Sequence, residues 1–164
     1  MWTRAFASDR QGATAIEFAL VLPLLIGIIV GTVEIGIVGL VSNTLDNSVQ
    51  AASRKIRVGD TGAPTSASEF RDAVCSGMFE PRNSCLAKLN VSVRKFSNFA
   101  SASAAAGDAP ANQFDRGGEG DIILVKATYR WPFFMPFFTL DYQQSGAAAV
   151  LLDARTTFKN EPFG

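Results

Sequence analysis

GATAIEFALVLPLLIGIIVGTVEIGIVGLV, residues 12–41, is the stretch that decides the architecture of this chain of 164 residues. From Phe18 to Val41, both included, it holds 24 residues, and its one ionisable side chain is Glu34. About 20 consecutive apolar residues are enough for an α-helix to cross the hydrocarbon core of a bilayer. The stretch therefore predicts a membrane-spanning helix.

A soluble core helix and a cleaved signal are both weaker interpretations of the apolar stretch. A buried helix of this length in a soluble protein would need a much larger protein around it. A cleaved secretory signal has an apolar region of about 7–15 residues that ends in small residues of the A-x-A kind. This stretch is longer and runs into Val41-Ser42-Asn43-Thr44. We therefore expect the helix to remain in the chain as an anchor.

Charge and cysteine indicate the orientation of the anchor. Arg4 and Arg10 precede it and residues 42–53 carry no Lys or Arg, which favours a cytoplasmic N-terminus, although a basic cluster follows at 54–57. Cys75 and Cys85 are the only cysteines, and an isolated pair suits a disulfide in an oxidising compartment. Such a bridge would stabilise the fold by about 2.5–3 kcal/mol. Two free buried thiols are the alternative.

The composition excludes several classes of function. The chain has 15 basic and 15 acidic side chains, a formal net charge of zero and no basic run, so we expect no nucleic-acid partner. It has no histidine, which removes the Ser-His-Asp and Cys-His nucleophile systems and paired-His zinc sites. Two cysteines without histidine cannot complete a structural zinc site. We expect no metal, no cofactor and no enzymatic activity.

The pattern beyond the anchor predicts an α+β domain. The spanning helix should continue into solvent, because four apolar residues recur at helical spacing, and Gly59 should end it; the four are Leu45, Val49, Ala52 and Ile56. Ser66 and Glu69 have capping-box spacing, which predicts a short helix that carries Cys75. Alternating runs from Leu89, from Ile123 and from Ala148 predict three strands.

Three strands after a long helix favour a small antiparallel sheet packed on the soluble half of that helix. Residues 97–113 are rich in Ala, Ser and Gly and predict a mobile surface loop. Residues 131–138, WPFFMPFF, predict a bent connection because of their two prolines. Their aromatic rings would pack over the sheet or helix, or would contact the membrane interface or a neighbouring subunit.

Glu17 raises a question, because a carboxylate at mid-bilayer is unfavourable by about 2.5–3.5 kcal/mol and by less near the interface. If the chain were cut after Gly12, the new α-amino group of Ala13 would lie about one helical turn from Glu17. The first-turn amides and the helix dipole would also favour the carboxylate. Between neighbouring helices, the amine of one chain could meet Glu17 of the next.

These residues resemble a known family. Gly12 to Phe18 before an apolar helix is similar to the class III signal of type IV pilin-like proteins. GATAIEFALVLPLL, then Val33-Glu34-Ile35-Gly36, and the closing Asn160-Glu161-Pro162-Phe163 resemble the TadE-like minor pilins, or pseudopilins, of tight-adherence (Tad, Flp) pilus systems. The strongest match covers residues 10–36, with a looser one over the C-terminal strands.

The resemblance implies a pilin-like fold in three parts: a cytoplasmic leader at 1–12, a transmembrane helix at 13–41 and a periplasmic α+β domain at 42–164. It implies cleavage by a prepilin peptidase between Gly12 and Ala13, and roles in assembly for Glu17 and Phe18. The implied location is the bacterial inner membrane, with incorporation into the pilus left open. The implied partners are the peptidase, other Tad minor pilins, the major Flp pilin, inner-membrane platform proteins and membrane lipid.

Details of the helix agree with a subunit that packs against other helices. Gly27 and Gly31 form a GxxxG pair that permits close approach, although membrane helices are rich in glycine in any case. Pro23 leaves the carbonyl of Ala19 without its helical donor and should kink the helix. Glu34 lies about 26 Å along the axis from Glu17, so it is either a residue of the opposite interface or a polar contact with another subunit.

Two rival functions have their own signals. An unprocessed single-pass adaptor would bind an envelope partner through its periplasmic domain. An enzyme would use Asp115, Glu119 and Asp121 as acid and base, but these residues lie in a glycine-rich turn with no visible orienting partner. Solvated turn residues are the simpler interpretation.

Overall fold

The computed structural model describes residues 11–107, 110–133 and 149–162, with side chains from Thr14 onward. The order of elements within them is α1 Gln11–Arg57, α2 Ala67–Ser76, α3 Arg82–Lys88, β1 Leu89–Phe96, α4 Phe99–Ala104, β2 Ile122–Pro132 and β3 Ala149–Lys159. The α+β class predicted from the sequence is confirmed. The chain divides into two compact units, Met1–Ile37 and Val38–Gly164. The proposed boundaries at 12/13 and 41/42 stay predictions.

α1 is a continuous helix of 47 residues whose end is fixed by glycine. Gly59 has φ 67°, a conformation that residues with a side chain rarely adopt. Its N–H donates to the carbonyl of Ile56 over 3.2 Å, and the N–H of Asp60 donates to Lys55 over 3.0 Å. This bond pair is the Schellman motif, which satisfies the last carbonyls of a helix. The predicted stop at Gly59 is confirmed.

The part of α1 beyond residue 41 buries one stripe. Its members share a spacing of three or four residues and are at most 3% exposed: Leu45, Val49, Ala52 and Ile56. Gln50 and Arg54, on another side of the helix, are exposed. Complete burial of an aliphatic side chain stabilises a fold by about 1.5–3 kcal/mol relative to exposure. The predicted stripe is confirmed, and it holds α1 in the core of the second unit.

The three described strands form one antiparallel sheet in the order β1-β2-β3. Leu89 pairs with Tyr129, and Tyr129 pairs with Leu152, so these residues share a face. The buried residues of this inner face are Leu89, Val91, Val93, Ile123, Val125, Ala127, Tyr129, Leu152 and Ala154. The three predicted alternating strands are confirmed.

The other face of the sheet is partly covered by α4, where the sequence predicted only a mobile loop at 97–113. That prediction is wrong for Phe99–Ala104, which form a helix. The side chain of Asn98 accepts a hydrogen bond from the N–H of Ser101 over 2.7 Å and caps the first turn. Ala102 is fully buried against Leu124. Capping, alanine's helix propensity and a small buried surface together order the segment.

Residues 112–115 run along the free edge of β1. The N–H of Val93 donates to Gln113, and the N–H of Asp115 donates back to Val93, each over 2.9 Å. A third bond of 2.9 Å joins the N–H of Asn112 to the carbonyl of Val91. These bonds protect an edge that would otherwise offer unpaired backbone groups.

α2 begins with the predicted cap. The hydroxyl of Ser66 accepts from the N–H of Glu69 over 3.2 Å. The Glu69 carboxylate in turn accepts from Thr65, from its N–H over 2.7 Å and from its hydroxyl over 2.8 Å. These hydrogen bonds hold the pKa of Glu69 below its usual value of 4.5, and the bond from the N–H of Thr65 has the largest effect. The capping box is therefore present, except that Glu69 accepts its hydrogen bond from the N–H of Thr65 and not from that of the N-cap residue Ser66.

A disulfide joins α2 to α3. Cys75 and Cys85 are bonded, with their Cα atoms 5.8 Å apart, and both side chains are buried. The bridge closes the short segment between the two helices. Of the two alternatives left by the sequence, the structure shows the disulfide.

Gly77, at the end of α2, lies against α1. A Cβ added there would overlap the Oγ of Ser48 and would lie 3.1 Å from the Cβ of the same residue. The φ of Gly77 is −90°, so the constraint on this residue is space and not conformation. The contact sets how closely α2 approaches α1.

We predict that Gly77→Ala lowers the free energy of unfolding by about 1–3 kcal/mol, because the new methyl group overpacks the contact with Ser48. Denaturant unfolding of the full chain in detergent micelles measures this. Gly62→Ala is the matched control, because a Cβ at Gly62 would meet its nearest atom at an ordinary 3.5 Å. Equal stability of the two variants would contradict the prediction.

Candidate functional site

The first half of α1 exposes apolar side chains on most of its circumference. Each of the following is at least 47% exposed: Ile16, Phe18, Leu20, Val21, Leu24, Leu25, Ile26, Ile28, Ile29, Val33, Ile35 and Leu40. Apolar patches of this extent mark contact with lipid or with other proteins. Within the described residues, Thr14–Arg57 is the one helix long and apolar enough to cross a membrane. The molecule thus has the features of a protein with a single membrane anchor.

The two carboxylates of this half have opposite surroundings. Glu17 is exposed, next to Phe18, whose ring is 62% exposed. Glu34 is only 3% exposed. About 26 Å of helix separates them. Glu17 is therefore the carboxylate of the first unit that is open to another chain, and the enclosed Glu34 is not accessible in the same way.

The glycines of the helix also differ in their surroundings. Gly31 is buried and Gly27 is half-buried, yet a Cβ built on Gly27 would meet nothing within 4 Å. The same open space surrounds Gly36 and Gly39. Packing within the chain therefore does not require small residues at these three positions. The space they leave is available to a second helix, as in small-residue contacts between membrane helices.

Pro23 lies inside α1 without interrupting it. The helix continues to Arg57, although proline provides no N–H for the carbonyl of Ala19. The kink expected from the sequence stays a prediction. Local side-chain bonds occur further along, where the Thr32 hydroxyl donates to the carbonyl of Ile29 over 2.8 Å.

The predicted processing point is at the start of the helix. Gly12 and Ala13 belong to the first turn of α1, which begins at Gln11. Residues 1–10, the greater part of the predicted leader, lie outside the described residues, as do residues 134–138 of the aromatic run. Cleavage between Gly12 and Ala13 stays a prediction.

Comparison with known families gives one match for this helix: the model of the family described as "TadE-like protein" matches residues 12–54. The chain carries a TadE-like segment. The resemblance predicted from the sequence is thereby confirmed over these residues. Searches of the curated proteins and of the solved structures gave no match.

The TadE-like segment covers both halves of α1. It begins at Gly12, includes the exposed apolar half with Glu17, and ends at Arg54, within the stretch that buries its stripe in the second unit. The match stops before α2 and does not include the sheet. The family match therefore says nothing about α2, α3 and the sheet, which are known here from the structure only.

The acidic turn that the enzyme hypothesis requires is held by backbone contacts. The carboxylate of Asp121 accepts from the N–H of Gly118 over 2.7 Å and pairs with Lys95 at 3.3 Å. Asp115 accepts from the N–H of Gly117 over 2.9 Å. These carboxylates stabilise a turn that includes a positive φ at Gly117.

The charge state of Asp121 fits this role. The backbone bond from Gly118, followed by the ammonium group of Lys95, lowers the pKa of Asp121 below its usual 3.8, against an opposing effect of burial. A general acid or base at neutral pH needs a pKa near that pH. The pKa of Asp121 is lowered, and so lies further from neutral pH than that of an ordinary aspartate.

Sequence reasoning did not predict the hydrogen bonds by which Asn160 holds this turn. Asn160 is 2% exposed, and its side-chain amide donates to the carbonyls of Arg116 and Gly118, each over 2.9 Å. No local pattern could reveal these bonds, because 44 and 42 residues separate the partners.

Sequence reasoning also missed a polar cluster beside β2. Glu80 accepts hydrogen bonds from the hydroxyl of Tyr129, from Lys88 and, over 2.7 Å, from Ser84. The ammonium group of Lys88 lies 5.6 Å from the ring centre of Trp131. The cluster ties the turn between α2 and α3 to the sheet. Because Tyr129 is 49 residues from Glu80, no local signal predicts it.

We predict that Asp121→Asn flattens the dependence of stability on pH in the acid range. A depressed pKa means that Asp121 stabilises the fold above its unfolded pKa and loses this effect as pH falls through the lower folded pKa. The parent should therefore lose more stability than the variant between about pH 5 and pH 3. Thermal unfolding in detergent micelles measures the two profiles, and parallel profiles would contradict the prediction.

Proposed function

We propose that this protein is a non-catalytic minor pilin, or pseudopilin, that takes part in priming or capping a Tad/Flp pilus used for adherence. Its leader lies in the cytoplasm, α1 spans the inner membrane and the α+β domain lies in the periplasm. A prepilin peptidase removes residues 1–12. The mature chain then joins other minor subunits, the major pilin and the platform proteins.

The observation that carries the proposal is the family match at residues 12–54 on an exposed apolar helix. It brings together Gly12, the exposed Glu17 and the open Gly27 on one element. A lipid anchor alone needs no carboxylate at this depth, where charge is unfavourable. A pilin-like subunit uses one, because cleavage creates a cation at Ala13 that can pair with Glu17 of a neighbour.

A non-catalytic role is supported by the acidic turn. Asp115 and Asp121 bond to backbone N–H groups, and Asp121 has a depressed pKa. The geometry suits a fixed turn on a binding domain better than proton transfer at neutral pH.

The alternative function is an unprocessed membrane-anchored adaptor. It shares the single apolar helix, the disulfide between Cys75 and Cys85 and the folded second unit. It differs in keeping Gly12 and the residues before it. Cleavage therefore separates the two functions.

We predict that co-expression with an active prepilin peptidase shortens this chain from 164 to 152 residues, because 12 residues precede Ala13. Gly12→Val should block the cut and with it pilus assembly. Intact-mass measurement of the membrane-extracted protein gives the result. Gly36→Val is the control for the cut alone, because it makes the same change at a helical glycine far from the cleavage point. Full-length parent protein beside active peptidase would favour the adaptor.

We predict that Glu17→Gln leaves membrane insertion intact and reduces piliation at least about tenfold, because the amide keeps the shape of the side chain and loses the charge that pairs with the new amine. Glu17→Asp, which keeps the charge, should retain part of the activity. Immunoblots of sheared pili and of membrane fractions separate assembly from insertion. Normal piliation by Glu17→Gln would contradict the charge-pairing role.

A further inference from the structure

A groove of about 630 Å³ lies between α1 and β3 in the second unit. Gln50, Ser53 and Arg54 line it on the helix side, and Thr156 and Phe158 line it on the sheet side. Both sheet residues are half-buried on the inner face, so they form a floor that the stripe of α1 does not fully cover.

The groove offers hydrogen-bond donors and positive charge that the chain does not use. Ser53 is 3% exposed, and its buried hydroxyl has no hydrogen-bond partner. Arg54 is exposed and makes no ion pair within the described residues, whereas Arg57 is paired with Glu161 at 2.9 Å. A buried donor without a partner is unfavourable by about 1–3 kcal/mol. A carboxylate in the groove would pair with Arg54, and a rotation of the Ser53 side chain would let its buried hydroxyl donate to the same carboxylate.

Within the part of the chain that the structure describes, the strand beside the groove also has an unpaired edge. Among the described residues, the edge of β1 is bonded to 112–115, but no strand or loop pairs with the outer edge of β3. An extended peptide that adds to an open edge gains main-chain hydrogen bonds, and every second side chain points to one face of the sheet. A peptide strand added to β3 would therefore direct every second side chain towards Phe158 and Arg54.

A lipid headgroup is a poor occupant because of distance. Arg54 is 13 residues beyond Val41, the predicted end of the membrane segment, which is about 20 Å along the helix. The headgroup layer extends only about 5–8 Å beyond the hydrocarbon on each side. The groove therefore faces the aqueous compartment, where a protein segment is the available source of carboxylates.

We propose that this groove receives an extended acidic segment of a partner protein, which adds to the edge of β3 and places a carboxylate against Arg54 and Ser53. This binding surface goes beyond the proposed function and does not depend on cleavage after Gly12. Its chemistry requires an extended backbone, acidic side chains and apolar side chains that can contact Phe158.

The test uses the purified full chain in detergent micelles and a fluorescent peptide of alternating Glu and Val, with anisotropy as the readout. Saturable binding is expected, weakening as salt is added. The same peptide with Gln in place of Glu should bind at least about tenfold more weakly, because charge-assisted bonds are lost. A peptide with alternate backbone N-methyl groups, which keeps its charges but cannot pair with β3, should not bind.

Two variants and their controls locate the site. Arg54→Gln should weaken binding about tenfold, while Lys55→Gln, the same change of charge on the other flank of α1, should leave it within about twofold. Ser53→Ala should weaken binding by a smaller factor. Ser48→Ala is its control, because it removes a buried hydroxyl on the flank of Lys55.

Several outcomes would overturn the proposal. They are absence of saturable binding at millimolar peptide, equal effects of Arg54→Gln and Lys55→Gln, and undiminished binding of the N-methylated peptide. Arg54-dependent binding to phosphatidylglycerol vesicles would assign the groove to lipid instead. Self-association of the chain that Arg54→Gln abolishes would assign it to a second copy. None of these results bears on cleavage at Gly12, so the proposed function is tested separately.

Discussion

The burial of one stripe of α1 is the interaction on which the second unit depends. Val49 and Ala52 lie in the middle of it, and the inner face of the sheet is buried in the same unit. A three-stranded sheet has too little apolar surface to be stable by itself unless another element covers a face. The stripe belongs to the same helix, α1, whose first half is apolar.

The two halves of α1 differ in which side chains they expose to their surroundings. In the first half exposed apolar residues cover most of the circumference, as suits contact with lipid. In the second half polar residues return on the outside, and burial narrows to a stripe. Glu17 and Glu34 show the contrast within the apolar half, because the first carboxylate is exposed and the second is enclosed. An exposed carboxylate beside Phe18 is a feature that another subunit can use.

The rest of the domain is fixed by a few close contacts. Gly77 lets α2 approach Ser48 of α1, and the Cys75–Cys85 disulfide ties α3 to α2. Glu80 then joins this pair of helices to Tyr129 in the sheet. These contacts join the two short helices to α1 and to the sheet, whereas the flank of α1 that carries Arg54 lines the groove over β3. The side of α1 that the short helices do not cover is thus the side available to a partner.

What the sequence determined by itself was most of what depends on periodicity and local geometry, although the local cap of α4 at Asn98 was missed. The length of the apolar run, the stripe from Leu45 to Ile56, the cap at Ser66 and the stop at Gly59 each act over a few residues, so their patterns could be read directly. The strands were equally visible, because alternation is a local property. Only the tertiary structure decided the burial of Glu34, the order of α4, the cluster around Glu80 and the open groove at Ser53. Each of these depends on surfaces brought together from distant parts of the chain, and a residue's neighbours in space, which set its burial and its hydrogen bonds, are not its neighbours in sequence.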